Sequence, residues 1–231
     1  MDGSESDSYD HRLAYRLSPR IYKWGRNSIL RLRNRQERLD VLDEIFVRQI
    51  YGKLYLAIKP NSVVLDIGAG MGETAIYFAM NPNVRRVFSY EPIQRTYQEA
   101  KRVISASPFR SKITLVNTGV VGSGRVARVN QEYQGHLWTK LSEAEGTKGT
   151  RMRLLSLNEI LKGKRDVAIK CDCEGYEAEI FKTADLSRVY AIQLEYHNCK
   201  ETVKRDLISK GFGVTDLDPG RKQGIIFAAR K

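Results

Sequence analysis

A chain of 231 residues, 42% of them hydrophobic, is long enough for one domain with an appendage and apolar enough to bury a core. No apolar run approaches the roughly 18–20 residues that cross a bilayer, and the N-terminus lacks the charged-then-apolar pattern of a secretory signal. Three cysteines without framework spacing exclude a disulfide scaffold and point to a reducing, cytoplasmic setting, while a formal charge of +12 points to an anionic partner or a solvated basic surface.

The first ten residues are acidic, serine-rich and nearly free of apolar side chains, a composition that predicts disorder. Arg12, Arg16, Arg20, Lys23, Arg26, Arg31, Arg33, Arg35 and Arg38 follow, opposed by Glu37 alone and interrupted by Tyr22 and Trp24. Such an arm either keeps the protein soluble or meets the phosphates of RNA, a nucleotide-linked sugar or an anionic membrane surface. Over 38–51 the apolar residues Leu39, Leu42, Ile45, Phe46 and Ile50 recur at helical spacing, and Gly52 stands where such a helix would stop. This helix is expected to pack beside the main sheet. Residues 1–58 thus read as a basic helical extension, and 59–231 as the main domain.

From there strand and helix alternate. Strands are predicted at 62–67, 86–90, 112–117, 167–171 and 190–195, with helices at 72–80, 93–106, 157–161, 176–184 and 202–210. Residues 122–155 are polar and irregular, with β-prone pieces at 126–129 and 152–155. The last two strands, 213–215 and 224–229, read as a hairpin turning at Pro219-Gly220. The pattern predicts a Rossmann-like α/β fold: a mostly parallel twisted sheet, helices on both faces and an antiparallel final strand.

The most informative segment is Val63-Val64-Leu65-Asp66-Ile67-Gly68-Ala69-Gly70-Met71-Gly72-Glu73-Thr74. It follows an apolar strand and carries an acid two residues before the first glycine. Glycines permit the tight turn and a close backbone approach to a ligand. A second acid, Glu91, ends the next strand, where a carboxylate can accept both hydroxyls of an adenosine ribose. A dinucleotide dehydrogenase shares this pattern, but Asp66 would repel the pyrophosphate it must hold at the helix N-terminus. S-adenosylmethionine has no phosphate and carries a sulfonium and an ammonium, so the acid favours it. Asn117, Thr118 and Gly119, after the third strand, are expected at the adenine edge.

These residues resemble the FkbM family of S-adenosylmethionine-dependent methyltransferases. The resemblance runs from about Ile45 to Phe212 and includes Tyr51-Gly52-Lys53-Leu54-Tyr55, the glycine loop and Tyr90-Glu91-Pro92. Its most specific part is Ile169-Lys170-Cys171-Asp172-Cys173-Glu174-Gly175-Tyr176-Glu177, similar to the family's Lys-x-Asp-x-Glu-Gly-x-Glu signature, with Leu194-Glu195-Tyr196-His197 similar to its post-strand element. The resemblance implies a class I methyltransferase fold and O-methylation of a sugar or related small-molecule hydroxyl. Asp66, Gly68, Ala69, Gly70, Gly72, Glu73, Thr74, Glu91, Pro92, Asn117, Gly119 and Asp172 are the expected cofactor-binding residues.

Asp172 falls at the carboxyl end of a strand, the edge where open α/β sheets bind ligands. It is the first candidate for the base or acceptor-orienting group, and otherwise caps the next helix. Glu174 and Glu177, three residues apart, would share a helix face and either join the site or complement the helix dipole. His197 is the second candidate base, because an imidazole near its ordinary pKa exchanges protons near neutrality. Lys170, inside an apolar strand, is expected to pair with a neighbouring acid.

Asp172, His197 and Asn198 could also ligate a divalent cation, although nothing in their spacing demands one. Cys171 and Cys173 project to one face and lack the further thiolates of a zinc site. The acceptor alternative is an RNA ribose hydroxyl bound through the basic arm. The non-enzymatic alternative is a module that binds the donor or nucleic acid without catalysis. Tyr133, His136, Trp138 and Lys140 in the irregular segment would shape the acceptor site.

Overall fold

The computed structural model describes residues 41–129, 141–142 and 149–230. The acidic first ten residues, the basic arm through Arg38, and Tyr133, His136, Trp138 and Lys140 lie outside the described residues. The chain divides into two compact units, Met1–Gly52 and Lys53–Lys231.

In the first unit a π-helical turn, Asp43–Val47, closes with the Arg48 N–H donating to the Asp43 carbonyl at 2.8 Å. The turn ends at Gln49, whose φ of +52° reverses the chain as left-handed residues do. Gly52 is therefore not the helix stop that its residue type suggests. It opens helix α1, Gly52–Ala57.

The second unit runs β1 (Ser62–Ile67), α2 (Glu73–Ala79), β2 (Val84–Tyr90), α3 (Gln94–Ser105) and β3 (Ile113–Val116). After the small strands β4 (Val120–Val121), β5 (Arg125–Val129), β6 (Leu141–Ser142) and β7 (Thr150–Ser156) come α4 (Leu157–Leu161) and β8 (Val167–Cys171). The chain finishes with α5 (Glu177–Lys182), β9 (Val189–His197), α6 (Lys200–Ser209), β10 (Phe212–Asp216) and β11 (Gln223–Arg230).

The main sheet has seven strands in the order β10-β11-β9-β8-β1-β2-β3. The five from β9 to β3 are parallel, and β11 runs antiparallel between β9 and β10. Every residue of β1 is buried, which is why it reads as an apolar run rather than an alternation. The β10–β11 hairpin turns through Gly220 at φ +84°.

The segment that looked irregular in sequence forms a second sheet, β4-β7-β5-β6, with a small core of Val121, Ala127, Val129 and Leu154. It is tied to the carboxyl edge of the main sheet. Thr118 Oγ1 donates to the Arg153 carbonyl at 2.7 Å, and the Leu155 N–H donates to the Gly119 carbonyl at 3.0 Å. Arg125 grips Glu179 of α5 through both guanidinium ends, at 2.6 and 3.3 Å. Among the described residues, no helix is long and apolar enough to cross a membrane.

Candidate active site

Strand register explains how the polar residues of the parallel strands gather. Ser89, Asp66, Lys170 and Gln193 pair side by side across β2, β1, β8 and β9. All four are buried, with exposures between 0% and 2%. Adjacent partners in register share a sheet face, so a single polar row crosses the core. Gln193 completes its bonding by accepting the Leu54 N–H of α1 at 2.8 Å.

Within that row Lys170 Nζ lies 3.4 Å from Asp66 Oδ1 and donates to the carbonyl oxygens of Gly68 at 2.5 Å and Ile67 at 3.4 Å. Both Asp66 oxygens accept from Thr74 Oγ1 at 3.0 Å. Burial raises the Asp66 pKa, and Lys170 and Thr74 oppose it. Burial acts to lower the Lys170 pKa, but Asp66 and then Asp172 outweigh it and raise it. Asp66 therefore faces the loop's scaffold from behind. The sequence expectation places this acid at a ligand cation; in the structure its oxygens accept from Thr74 and lie beside Lys170.

The loop itself needs its glycines. Gly68, Gly70 and Gly72 have φ of +76°, +52° and +90°. A Cβ on Gly68 would sit 1.7 Å from the Asp172 carbonyl oxygen, and one on Gly72 would press on Ile104 at 3.0 Å. Gly70 meets nothing within 4 Å and opens the loop outward. Ala69 is buried, its N–H bonded to the Tyr90 carbonyl at 3.0 Å, and Glu73 and Thr74 are buried in the first turn of α2.

Glu91 lies beside the loop. Its Oε2 accepts the Gly70 N–H at 3.1 Å and its Oε1 the Ile93 N–H at 2.9 Å. Burial pushes it up to about 7 despite those donors. Pro92 follows, half-buried, and Asn117 Nδ2 donates to the Glu91 carbonyl at 2.8 Å, binding the ends of β2 and β3 together. Gly119 abuts Leu154, where an added Cβ would lie at 3.1 Å.

Beyond β8, Asp172 is half-buried and its N–H donates to the Ile67 carbonyl at 3.0 Å, next to Gly68. It does not cap the following helix, whose N-cap is Tyr176 without a side-chain bond. Nor do Glu174 and Glu177 share a helix face: Glu174 sits in a left-handed turn at φ +55°, one residue before Gly175.

Glu177 is fully buried, and its Oε1 accepts the N–H groups of Cys173 and Gly175, each at 3.1 Å. The same oxygen lies 3.2 Å from His197 Nδ1, while His197 Nε2 lies 3.5 Å from Oε2 of the half-buried Glu174. Burial would lower the His197 pKa, but Glu177 first, then Asp172 and Glu174, drive it up to about 9. A value of that size favours the imidazolium at neutral pH. Glu195, half-buried two residues earlier, is pushed to about 7 by burial and by Asp172, against a 2.7 Å bond from Gln223 Nε2.

Asp172, Glu177 and His197 each bring one potential ligand atom within 4.8 Å of the others. Glu177 stands where Asn198 was the third ligand expected; Asn198 is exposed at φ +58°. The Glu177 oxygen is committed to two backbone donors and the imidazole, so we assign no metal ligands to this group. Cys171 and Cys173 share a face, with sulfurs 3.5 Å apart, and the Cys199 thiol lies 3.7 Å from Glu177 Oε2.

Lys170 pairs with an acid as expected, Asp66 being the partner, whereas the contacts of Glu177 and Glu195 escaped the reading of single motifs. The signal was present in the strand period: 170 in β8 and 172 just past its end, and 193, 195 and 197 in the next strand, are polar at every second position of otherwise apolar runs.

Comparison with known proteins adds a family. The family model described as the methyltransferase FkbM domain matches residues 66–209, more than half of the chain. Over 53 residues the chain is 38% identical to the AMB antimetabolite synthetase AmbE of Pseudomonas aeruginosa; the match covers 23% of this chain and 2% of that protein. Among solved structures, the methyltransferase FkbM from Methylobacillus flagellatus KT aligns with a TM-score of 0.50 at 13% identity, covering 91% of this chain and 59% of that one. A precorrin-6y C5,15-methyltransferase from Geobacter metallireducens GS-15 aligns with a TM-score of 0.50 at 18% identity, covering 80% and 89% respectively. At these identities the structural likeness carries the fold.

Proposed function

The chain belongs to the FkbM methyltransferase family, and from that premise we propose that it methylates a hydroxyl of a sugar or related small molecule with S-adenosylmethionine as donor. The observation that carries this reading is one line of residues along the sheet's carboxyl edge. One step beyond the paired ends of β2, β1 and β8 stand Glu91, Gly68 and Asp172. A buried carboxylate suited to a ribose diol, a glycine loop open at Gly70 and an acid at the next strand end follow in order.

The donor set fits the cofactor. Glu91 would hold the ribose hydroxyls, and the backbone of Gly68, Ala69, Gly70 and Gly72, with Glu73 and Thr74 behind it, would receive the methionine part. Pro92, Asn117 and Gly119 would border the adenine. When bound, the sulfonium supplies an activated methyl group, so the protein's task is to align the acceptor oxygen and exclude water. Asp172 is the base or acceptor-orienting group. His197, held by Glu177 and carrying a proton near neutrality, hydrogen-bonds the acceptor from the other side, with Glu174 at the rim.

The charge at this edge favours a neutral acceptor. Asp172, Glu174, Glu177 and Glu195 surround His197, and a phosphodiester brought among them would be repelled. The RNA reading therefore rests on the basic arm alone.

Incubation with radiolabelled S-adenosylmethionine and a panel of polyhydroxylated small molecules tests the proposal. Labelled ether and S-adenosylhomocysteine should form together, and Asp172→Asn should slow the reaction by about 100-fold or more while the donor still binds. Transfer to RNA with every small hydroxyl inert would overturn the choice of acceptor.

A further inference from the structure

The line of edge residues does not end at Asp172. Lys170 pairs with Gln193 and Cys171 with Leu194, so Asp172 comes level with Glu195, one strand spacing away on β9. Residues two along a strand return to the same face. Glu195 therefore shares the face of the buried row below it and stands at the far end from Glu91. Strands lie about 4.8 Å apart, which puts it roughly 10 Å across the edge from the glycine loop, on the acceptor's side of Asp172. On its own strand it neighbours His197, and from β11 the exposed Gln223 holds its Oε1 at 2.7 Å.

We propose that Glu195 is a catalytic residue, the carboxylate that takes the proton from the acceptor hydroxyl, with Asp172 orienting that hydroxyl. The inference rests on the donor reading given above. As the acceptor oxygen forms its bond to the methyl carbon, the carbon–sulfur bond breaks with its electron pair left on sulfur, and the hydroxyl proton passes to Glu195. Charge balances: a sulfonium and a carboxylate are replaced by a thioether and a carboxylic acid.

The groups that face Glu195 are Lys170 from β8, Asp172 just past the end of β8, His197 from its own strand and Gln223 from β11. Burial and Asp172 raise its pKa to about 7, which leaves it about half protonated near neutrality in the free protein. A sulfonium held in front of Asp172 lowers that value and ionises Glu195. Donor binding thus readies the base, and the neutral sulfur of the product does not.

Calorimetry in two buffers of different ionisation enthalpy, at pH 7, measures the protons released when each nucleoside binds. Any proton released by Glu91 on meeting the ribose is common to both ligands, so the difference between them isolates the sulfonium. The expected excess for S-adenosylmethionine over S-adenosylhomocysteine is about 0.4 proton per site, the change from half to roughly one-tenth protonated. Glu195→Gln should remove the excess while both nucleosides still bind. Gln223→Leu, at an exposed position, should move the pH of greatest excess upward. Equal release by the two ligands, or an excess that survives Glu195→Gln, would overturn the assignment. If neither nucleoside gave heat, the donor reading would fall first and take this inference with it.

Discussion

Lys170 Nζ donates to the Gly68 carbonyl at 2.5 Å while lying 3.4 Å from Asp66 Oδ1, so one buried ammonium joins the acid of β1 to the glycine loop's backbone. Lys170→Met would leave the Asp66 charge uncompensated in the core. Breaking a buried pair from one side costs about 3–5 kcal/mol, and denaturant unfolding should register a loss of that order. Removing both charges in Asp66→Asn with Lys170→Met should recover a substantial part of it.

The glycines make unequal demands. Gly68→Ala drives a Cβ to 1.7 Å from the Asp172 carbonyl, so the two strand ends must part. It should abolish nucleoside binding and lower the melting temperature sharply. Gly70→Ala meets open space and carries only the cost of its positive φ, about 1–2 kcal/mol. Comparison of the two melting curves checks this ordering.

Glu91 is raised to about 7 by burial. A ribose diol donates to the ionised form, so affinity for S-adenosylhomocysteine should rise as pH increases through 7. The ionised fraction grows roughly tenfold between pH 6 and 8, and titration calorimetry should show a gain of about that size. Glu91→Gln should bind more weakly and lose the dependence.

His197 gives the opposite signature in stability. Its folded pKa of about 9 exceeds the ordinary value of 6.5, so the folded state holds the extra proton between them. The stabilisation is fully present below pH 6.5 and is lost as pH rises through 9. Unfolding midpoints of wild type and His197→Gln measured from pH 6 to 10 should converge by roughly 1–2 kcal/mol, a figure discounted for the cluster's open side. A constant difference would show that Glu177 and His197 are not coupled.

Much of this was legible in the residues. The spans of β1, β8 and α4 follow directly from their apolar runs, and the glycines after β1 mark the turn into α2. What escaped depended on register. That Lys170 would meet Asp66, and Asp172 stand level with Glu195, follows only once β1, β8 and β9 are aligned. The Glu177–His197 contact joins residues twenty apart in sequence, through a turn that Glu174 and Gly175 make by taking positive φ. The end of the first helix at Gln49 was hidden because glycine, not glutamine, is the usual left-handed residue.

The proposed function requires a nucleoside site bounded by Glu91 and the glycine loop, with its reactive sulfur directed toward Asp172. A crystal structure with S-adenosylhomocysteine tests it most directly. Both ribose hydroxyls should lie on the Glu91 carboxylate, and the sulfur beyond Gly68 on the side of Asp172 and Glu195. A ribose bound elsewhere, or a sulfur turned away from those acids, would contradict it.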